Sequence, residues 1–128
     1  MRQPVIAAVN GIAAGAGMAI AVAADMRIAS PTSRFLVASV RIGLSAGESR
    51  ISYHLPCWIG AGRAFADLLT GRPNEREEAV MNCLALRMVE ADQLEEAALA
   101  QATTICADSP FPVAETKLLM WRSLDALS

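Results

Sequence analysis

Three features of this chain carry groups that could do chemistry. The first is the turn Gly15-Ala16-Gly17, inside the uncharged stretch VNGIAAGAGMAIAVAADM. A short apolar run with β-branched members, PVIAAV (Pro4 to Val9), suits a buried strand and meets the turn pair Asn10-Gly11. After the Gly-Ala-Gly loop, MAIAVAA (Met18 to Ala24) suits a short buried helix. The head of a helix leaves main-chain N–H groups unpaired and carries the positive end of its dipole. Alanine and glycine let a ligand approach that backbone closely. These are the requirements for holding a developing negative charge, as an oxyanion hole does. The same residues equally suit a tight strand–helix packing turn, and residue types alone do not separate the two.

The second feature is Glu48. Gly43, Ser45, Ala46 and Gly47 read as a loop, and Glu48 opens a helix running to about His54. The macrodipole lowers the pKa of a first-turn carboxylate, whereas an apolar pocket raises it, and a general acid/base near neutral pH needs the second effect to dominate. A plain helix-start charge is the alternative. The third feature is His54, the only histidine, which excludes His-rich metal sites and gives a Ser-His-Asp triad little footing. With Tyr53 it is expected to pack or to face solvent. Cys57, Cys83 and Cys106 are odd in number and contain no C-x-x-C pair, so they form neither a disulfide framework nor a zinc site. They are expected to be buried free thiols in a reducing compartment.

The elements that must hold these groups begin with a choice. Pro4 to Ala24 carries no charge and approaches the length of a membrane span, and Ala21-Val22-Ala23 imitates a signal cleavage site. Against both stand Asn10-Gly11 in mid-run, Gly15 and Gly17 within a turn of each other, and a dominance of alanine over leucine. Strand, turn and helix is the better parse. Further on, Ala61, Ala64, Phe65, Leu68 and Leu69 mark one face of a helix over Gly60 to Thr70, with Gly71 at its C′ position. Asn74 with Glu77 suggests the cap of the next helix, and Ala85 to Glu90 is strand-like. Asp92 and Glu95 start a longer helix to about Cys106, with Leu94, Ala97, Ala98 and Ile105 inward. Ser109-Pro110 supplies the N-cap and first residue of a last helix, on which Phe111, Ala114, Leu118 and Trp121 share a face. One domain is expected from 128 residues. A net charge of −2 excludes a strongly basic nucleic-acid binder. Arg2, Arg27, Arg34, Arg41 and Arg50 are scattered, which suggests solvated or salt-bridged roles.

The segment QPVIAAVNGIAAGAGMAIAVAADMRIAS (Gln3 to Ser30) resembles the signature of the enoyl-CoA hydratase/isomerase (crotonase) superfamily. The likeness continues through FLVASVRIGLSAGESRISYHLPCWIGAGRAFADLLTGRP to Asp108-Ser109-Pro110 and Thr116-Lys117, and corresponds to the C-terminal half of the family's longer members. It implies an α/β fold of crotonase type, a truncated ββα superhelix followed by C-terminal helices. Residues 1–58 would supply core strands and the oxyanion turn, and residues 59–128 a mainly helical part. It implies acyl-CoA thioester chemistry through an enolate, with the Ala16 N–H as one oxyanion donor flanked by Gly15 and Gly17 against the substrate.

Glu48 stands where isomerases and dehalogenases of the superfamily carry an acidic acid/base, five residues before Tyr53. Ser39 and Ala19 occupy the places of the glutamate pair used by hydratases, which points away from that mechanism. Arg50 stands where relatives commonly carry glycine, and Cys57 where they carry arginine. Lys117 would lie near the CoA phosphates, a solvated surface charge being the alternative. The resemblance calls for no metal and for no cofactor beyond coenzyme A as part of the substrate. It implies an acyl-CoA partner, a homo-oligomer (trimer or hexamer) or a hetero-oligomer with related subunits, a cytoplasmic location, and neither nucleic acid nor membrane. The competing readings are a truncated, non-catalytic remnant that docks on full-length relatives, and a small membrane or secreted protein. A strand edge left unpaired predicts oligomerisation, a partner chain or poor solubility.

Overall fold

The computed structural model describes residues 1–45 and 50–127. Its core is built from two strand–corner–strand units laid side by side. In the first, β1 (Ile6–Val9) bends at Asn10-Gly11 into β2 (Ile12–Ala14). In the second, β3 (Met26–Ala29) bends at residues 30–33 into β4 (Arg34–Leu36). The helix α1 (Ala16–Ala23) connects the units, so both pairings are parallel, as a crossover connection requires. Ile6 faces Met26 through to Val9 facing Ala29, and Ile12 faces Arg34 through to Ala14 facing Leu36.

A buried hydroxyl cluster holds the corner. Ser33 Oγ donates to the Val9 carbonyl at 2.6 Å, the Ser30 N–H donates to the same carbonyl at 3.0 Å, and Ser30 Oγ donates to Asn10 Oδ1 at 3.0 Å. Short polar side chains satisfy the backbone here where the ladder is interrupted.

Each sheet gains a third strand from later in the chain. β5 (Asn74–Glu75) pairs antiparallel with β4, and β6 (Arg87–Met88) pairs parallel with β3. The sheet orders are β1-β3-β6 and β2-β4-β5. A 3₁₀ turn at Ser39–Ile42 follows β4; then come α2 (Ile51–Ile59), α3 (Ala61–Thr70), α4 (Glu77–Met81), α5 (Leu94–Cys106) and α6 (Pro110–Leu127). Phe35, Met18, Ile28, Leu55 and Leu84 are fully buried where α1 and α2 meet the sheets. Among the described residues no helix is long and apolar enough to cross a membrane. The uncharged run from Pro4 is divided between two strands and an eight-residue helix.

The expected mixed α/β class, the helix over α3 with Gly71 left-handed at its end, and Pro110 at the first residue of α6 all hold. Several details do not. Asn74 does not cap α4; it lies in β5, 1% exposed, donating to Asp67 and accepting from Asn82 at 2.9 Å. Arg76, at φ 55, precedes α4 instead. Phe65 and Leu69 are 66% and 68% exposed, and Asp67 rather than these is the buried member of that helix beside Ala64. Asp67 turns inward because Arg72 and Asn74 bind its carboxylate. Phe111 is likewise exposed.

Cys83 and Cys106 are exposed rather than buried, and all three thiols are free. Cys83 follows α4 at φ 66, a position that suits glycine because a Cβ clashes there. Relief of that strain outweighs the extra freedom of glycine in the unfolded chain. Cys83→Gly is therefore expected to raise stability by about 0.5–1 kcal/mol, read as a higher urea midpoint with an unchanged slope.

Candidate active site

The head of α1 is where the main chain is most open to a ligand. β2 delivers the chain to Gly15, whose φ of 53 and ψ of −125 suit only a residue without Cβ. The helix then starts at Ala16, so Ala16 and Gly17 belong to its first turn rather than to a loop. Its first hydrogen bond joins the Ala19 N–H to the Gly15 carbonyl at 3.1 Å, and the amides of Ala16, Gly17 and Met18 come before it. Among the described residues no side chain caps this end, and no acid stands in the first turn. Gly15, Ala16 and Gly17 are exposed, and a Cβ built on Gly17 meets nothing within 4 Å. The turn therefore presents backbone donors beside open space. Packing within the described residues does not demand glycine at position 17.

The opposite end of α1 is closed. Arg27, 3% exposed, sends Nη1 to the carbonyls of Ala24 (2.8 Å) and Ala21 (3.2 Å) and Nε to that of Leu84 (2.6 Å). Trp58 Nε1 donates to the Val22 carbonyl at 2.7 Å, and the Arg27 guanidinium lies 4.0 Å from the centre of the Trp58 ring. Burial lowers the Arg27 pKa to about 10, with Asp25 pulling the other way, so it stays charged at neutral pH. Among the described residues Arg27 is thus neither solvated nor salt-bridged, which corrects the sequence expectation. Its carbonyl partners come from the end of α1 and from Leu84, far along the chain, and no local pattern announces them.

Asp25 is the second residue the sequence did not single out. Its Oδ2 accepts from the Val5 N–H at 2.7 Å and lies 2.8 Å from Lys117 Nζ, while Oδ1 accepts from Trp121 Nε1 at 2.7 Å. Burial alone would raise its pKa, but these donors outweigh it and hold the carboxyl below its ordinary 3.8. The expected substrate residue Lys117 therefore lies at this junction. Its ammonium also donates to the Gln3 carbonyl at 2.7 Å, and its side chain is 17% exposed, so it is not a solvated charge.

From there a row of rings crosses from α6 to α2. Trp121 makes edge contacts with Trp58 at 5.7 Å and with His54 at 5.4 Å, and His54 meets Tyr53 at 5.2 Å. Tyr53 Oη donates to Asp125 at 2.5 Å, and that bond pushes the phenol pKa up to about 12. Burial, then Arg50 and Arg27, lower the pKa of His54, and its Nδ1 is buried without a partner among the described residues. His54 and Tyr53 pack, as expected.

Glu48 lies in residues 46–49, outside the described residues. What the structure gives is its frame. Gly43 is left-handed at φ 78 before it; after it Arg50, at φ 60, leads into α2, which packs on α1 and reaches Ile59, beyond the expected end at His54. The Arg50 guanidinium stacks 4.7 Å from the Tyr53 ring and lies 3.9 Å from Asp125. Ala19, where a second carboxylate was sought, is buried in α1, and Ser39 begins the 3₁₀ turn. Cavities of about 670 and 720 Å³ flank α6, one against Trp58 and Ile105, the other against Tyr53 and Ile20; neither is lined by Gly15, Ala16 or Gly17. Among the described residues no group of three or more His, Cys, Asp or Glu could hold a metal ion.

Comparison with known proteins fits this arrangement. The family model described as Enoyl-CoA hydratase/isomerase matches residues 1–127. A probable enoyl-CoA hydratase of Mycobacterium tuberculosis is 44% identical over the whole chain, which covers 45% of that relative. The solved structure of a probable enoyl-CoA hydratase/isomerase from Mycobacterium abscessus superposes with a TM-score of 0.94 at 41% identity, over 100% of this chain and 49% of that one. A structure described as a monofunctional enoyl CoA isomerase from M. smegmatis gives a TM-score of 0.90 at 42% identity, covering 99% of this chain and 59% of its own. The chain thus spans about half the length of the curated relatives it matches.

Proposed function

Because the chain belongs to the enoyl-CoA hydratase/isomerase family, we propose that it takes part in acyl-CoA thioester chemistry that passes through an enolate. The supporting observation is the open, uncapped head of α1 behind Gly15. As a proton leaves the carbon next to the thioester carbonyl, charge grows on the carbonyl oxygen. The Ala16 N–H, backed by the helix, donates to that oxygen, and the donor is worth most in the transition state, where the charge is greatest. Glu48 carries the proton. With serine at position 39 and alanine at position 19, one carboxylate suits a proton shift between two carbons of the acyl chain better than hydration by a glutamate pair. Coenzyme A enters as part of the substrate. A contact between Lys117 and the CoA phosphates would have to form at the expense of its bonds to Asp25 and Gln3.

Calorimetric titration with crotonyl-CoA tests this reading, using the wild type and Gly17→Val. The space above Gly17 lets the variant fold, while its side chain blocks approach to the backbone. The expected result is binding by the wild type and a loss of roughly tenfold or more in the variant at an unchanged Tm.

One further observation favours a second reading, in which the chain docks on related subunits. β1 and β2 are the end strands of their sheets, and Ile12 and Ile20 beside them are 67% and 72% exposed. A folded sample that gives no heat with crotonyl-CoA, but co-purifies with a longer family member, establishes docking in place of catalysis.

A further inference from the structure

The two ends of α1 are treated in opposite ways. Its C-terminal carbonyls receive a buried guanidinium and an indole N–H, whereas among the described residues its N-terminal amides have no side-chain cap, and its first turn holds no acid. A cation at the C-terminal end offsets the negative pole of the helix, and no acid of the helix itself offsets the positive pole. Eight residues span only about 12 Å, and Met18, Ala19, Ala21 and Val22 make one face of the helix buried and apolar, a side on which charge is poorly screened.

The rest of the Arg27 environment fits a residue kept charged. All three of its hydrogen bonds go to main-chain carbonyls, and the Trp58 ring covers its face. The nearby carboxylate of Asp25 is occupied by Val5, Lys117 and Trp121. A buried cation held by neutral dipoles projects its field further than one neutralised in an ion pair.

We infer that Arg27 is a positioning residue for the oxyanion: it anchors α1 from behind and adds its charge to the potential at the Ala16 amide. This rests on the proposed role of that amide. The charge, rather than only the packing, carries the effect. It favours an enolate over a neutral thioester and therefore acts on the ionised form of a ligand.

Acetoacetyl-CoA, a 3-oxoacyl thioester that ionises to an enolate with its own ultraviolet absorbance, separates these roles from butyryl-CoA, which stays neutral. Arg27→Met removes the charge and Arg27→Lys keeps it without the planar fork; Trp58→Phe, which keeps Arg27 but removes one donor to α1, guards against a methionine variant that fails to fold. The expected result is an enolate affinity about tenfold lower in Arg27→Met, near wild type in Arg27→Lys and Trp58→Phe, with butyryl-CoA affinity within about twofold throughout. If the methionine variant does not fold, Arg27→Gln, a neutral side chain that still donates to a carbonyl, takes its place with the same expected loss of about tenfold in enolate affinity. Equal losses for both ligands, or an enolate affinity lost in Arg27→Lys, show a packing role only and overturn it. Absence of binding of either ligand to the wild type removes the reading of Ala16, and this inference with it; intact wild-type binding with an unaltered enolate signal in Arg27→Met removes the inference alone.

Discussion

Asp25→Ala is expected to lower the stability of the protein by about 3 kcal/mol, measured by urea unfolding followed by circular dichroism. Three donors from two distant segments converge on this carboxylate: the Val5 N–H from the entry to β1, and Lys117 Nζ and Trp121 Nε1 from α6. Truncation leaves the Val5 and Trp121 N–H groups without this acceptor and the Lys117 ammonium with the Gln3 carbonyl but no counter-charge here, and the desolvation cost falls on the folded state. The neighbouring Asp25→Asn keeps an oxygen acceptor but loses the charge, so about half the loss is expected from it. A change below 1 kcal/mol in the alanine variant would show that α6 is held by its apolar contacts alone.

The same junction sets a response to acid. The Asp25 carboxyl is held below its ordinary value, so its contribution is complete above about pH 4 and is lost as pH falls through the folded-state pKa. His54 acts earlier. Its pKa is lowered, chiefly by burial, so the unfolded chain binds a proton first, and stability declines as pH falls below about 6.5. Amide protection in α6, measured against the unfolded chain at the same pH, should therefore fall in two stages between neutral pH and pH 3, and His54→Phe should remove the first stage while leaving the second.

Turnover of an acyl-CoA substrate is expected to fall by about 10²–10⁴-fold in Glu48→Ala, the usual range for a general acid/base. In the sequence Glu48 comes shortly before α2, whose Ile51, Leu55 and Ile59 are buried against the core. Trp58, near the end of that helix, donates to Val22, near the end of α1. The helix that follows Glu48 in the sequence and the helix that carries the amide are therefore pinned to each other. That suits a pair of groups that must act on neighbouring atoms of one substrate. The Glu48→Gln variant should lose activity equally, since shape is kept and only the titrating group is gone. Unchanged turnover in either variant, with the wild type active, would remove Glu48 from the chemistry.

Much of the backbone was legible in the residues. Gly71 and Pro110 punctuate their helices in positions that only their own φ preferences explain, and the periodicity of α3 gave its limits to within a residue. β2 was not legible: three residues of Ile and Ala between glycines show no alternation, and the strand exists because β4 pairs with it. The Asn74 cap failed for a similar reason. An Asn before a Glu pair favours capping locally, but Asp67 and Asn82 claim its amide from elsewhere in the chain. Phe65 and Leu69 have helical spacing without burial, because periodicity marks a face and not what covers it. At the candidate site, the donor turn could be read from glycine and alanine, whose small size is itself the signal. The cation behind it could not, since its three acceptors are carbonyls at residues 21, 24 and 84.

Both tryptophans of the chain meet at one seam, edge to face at 5.7 Å, each with its indole N–H committed to a different partner. Intrinsic fluorescence of this protein is in consequence a local signal. It will register the seating of the last helix against α2 and the back of α1, and will be nearly silent about the remaining two-thirds of the fold.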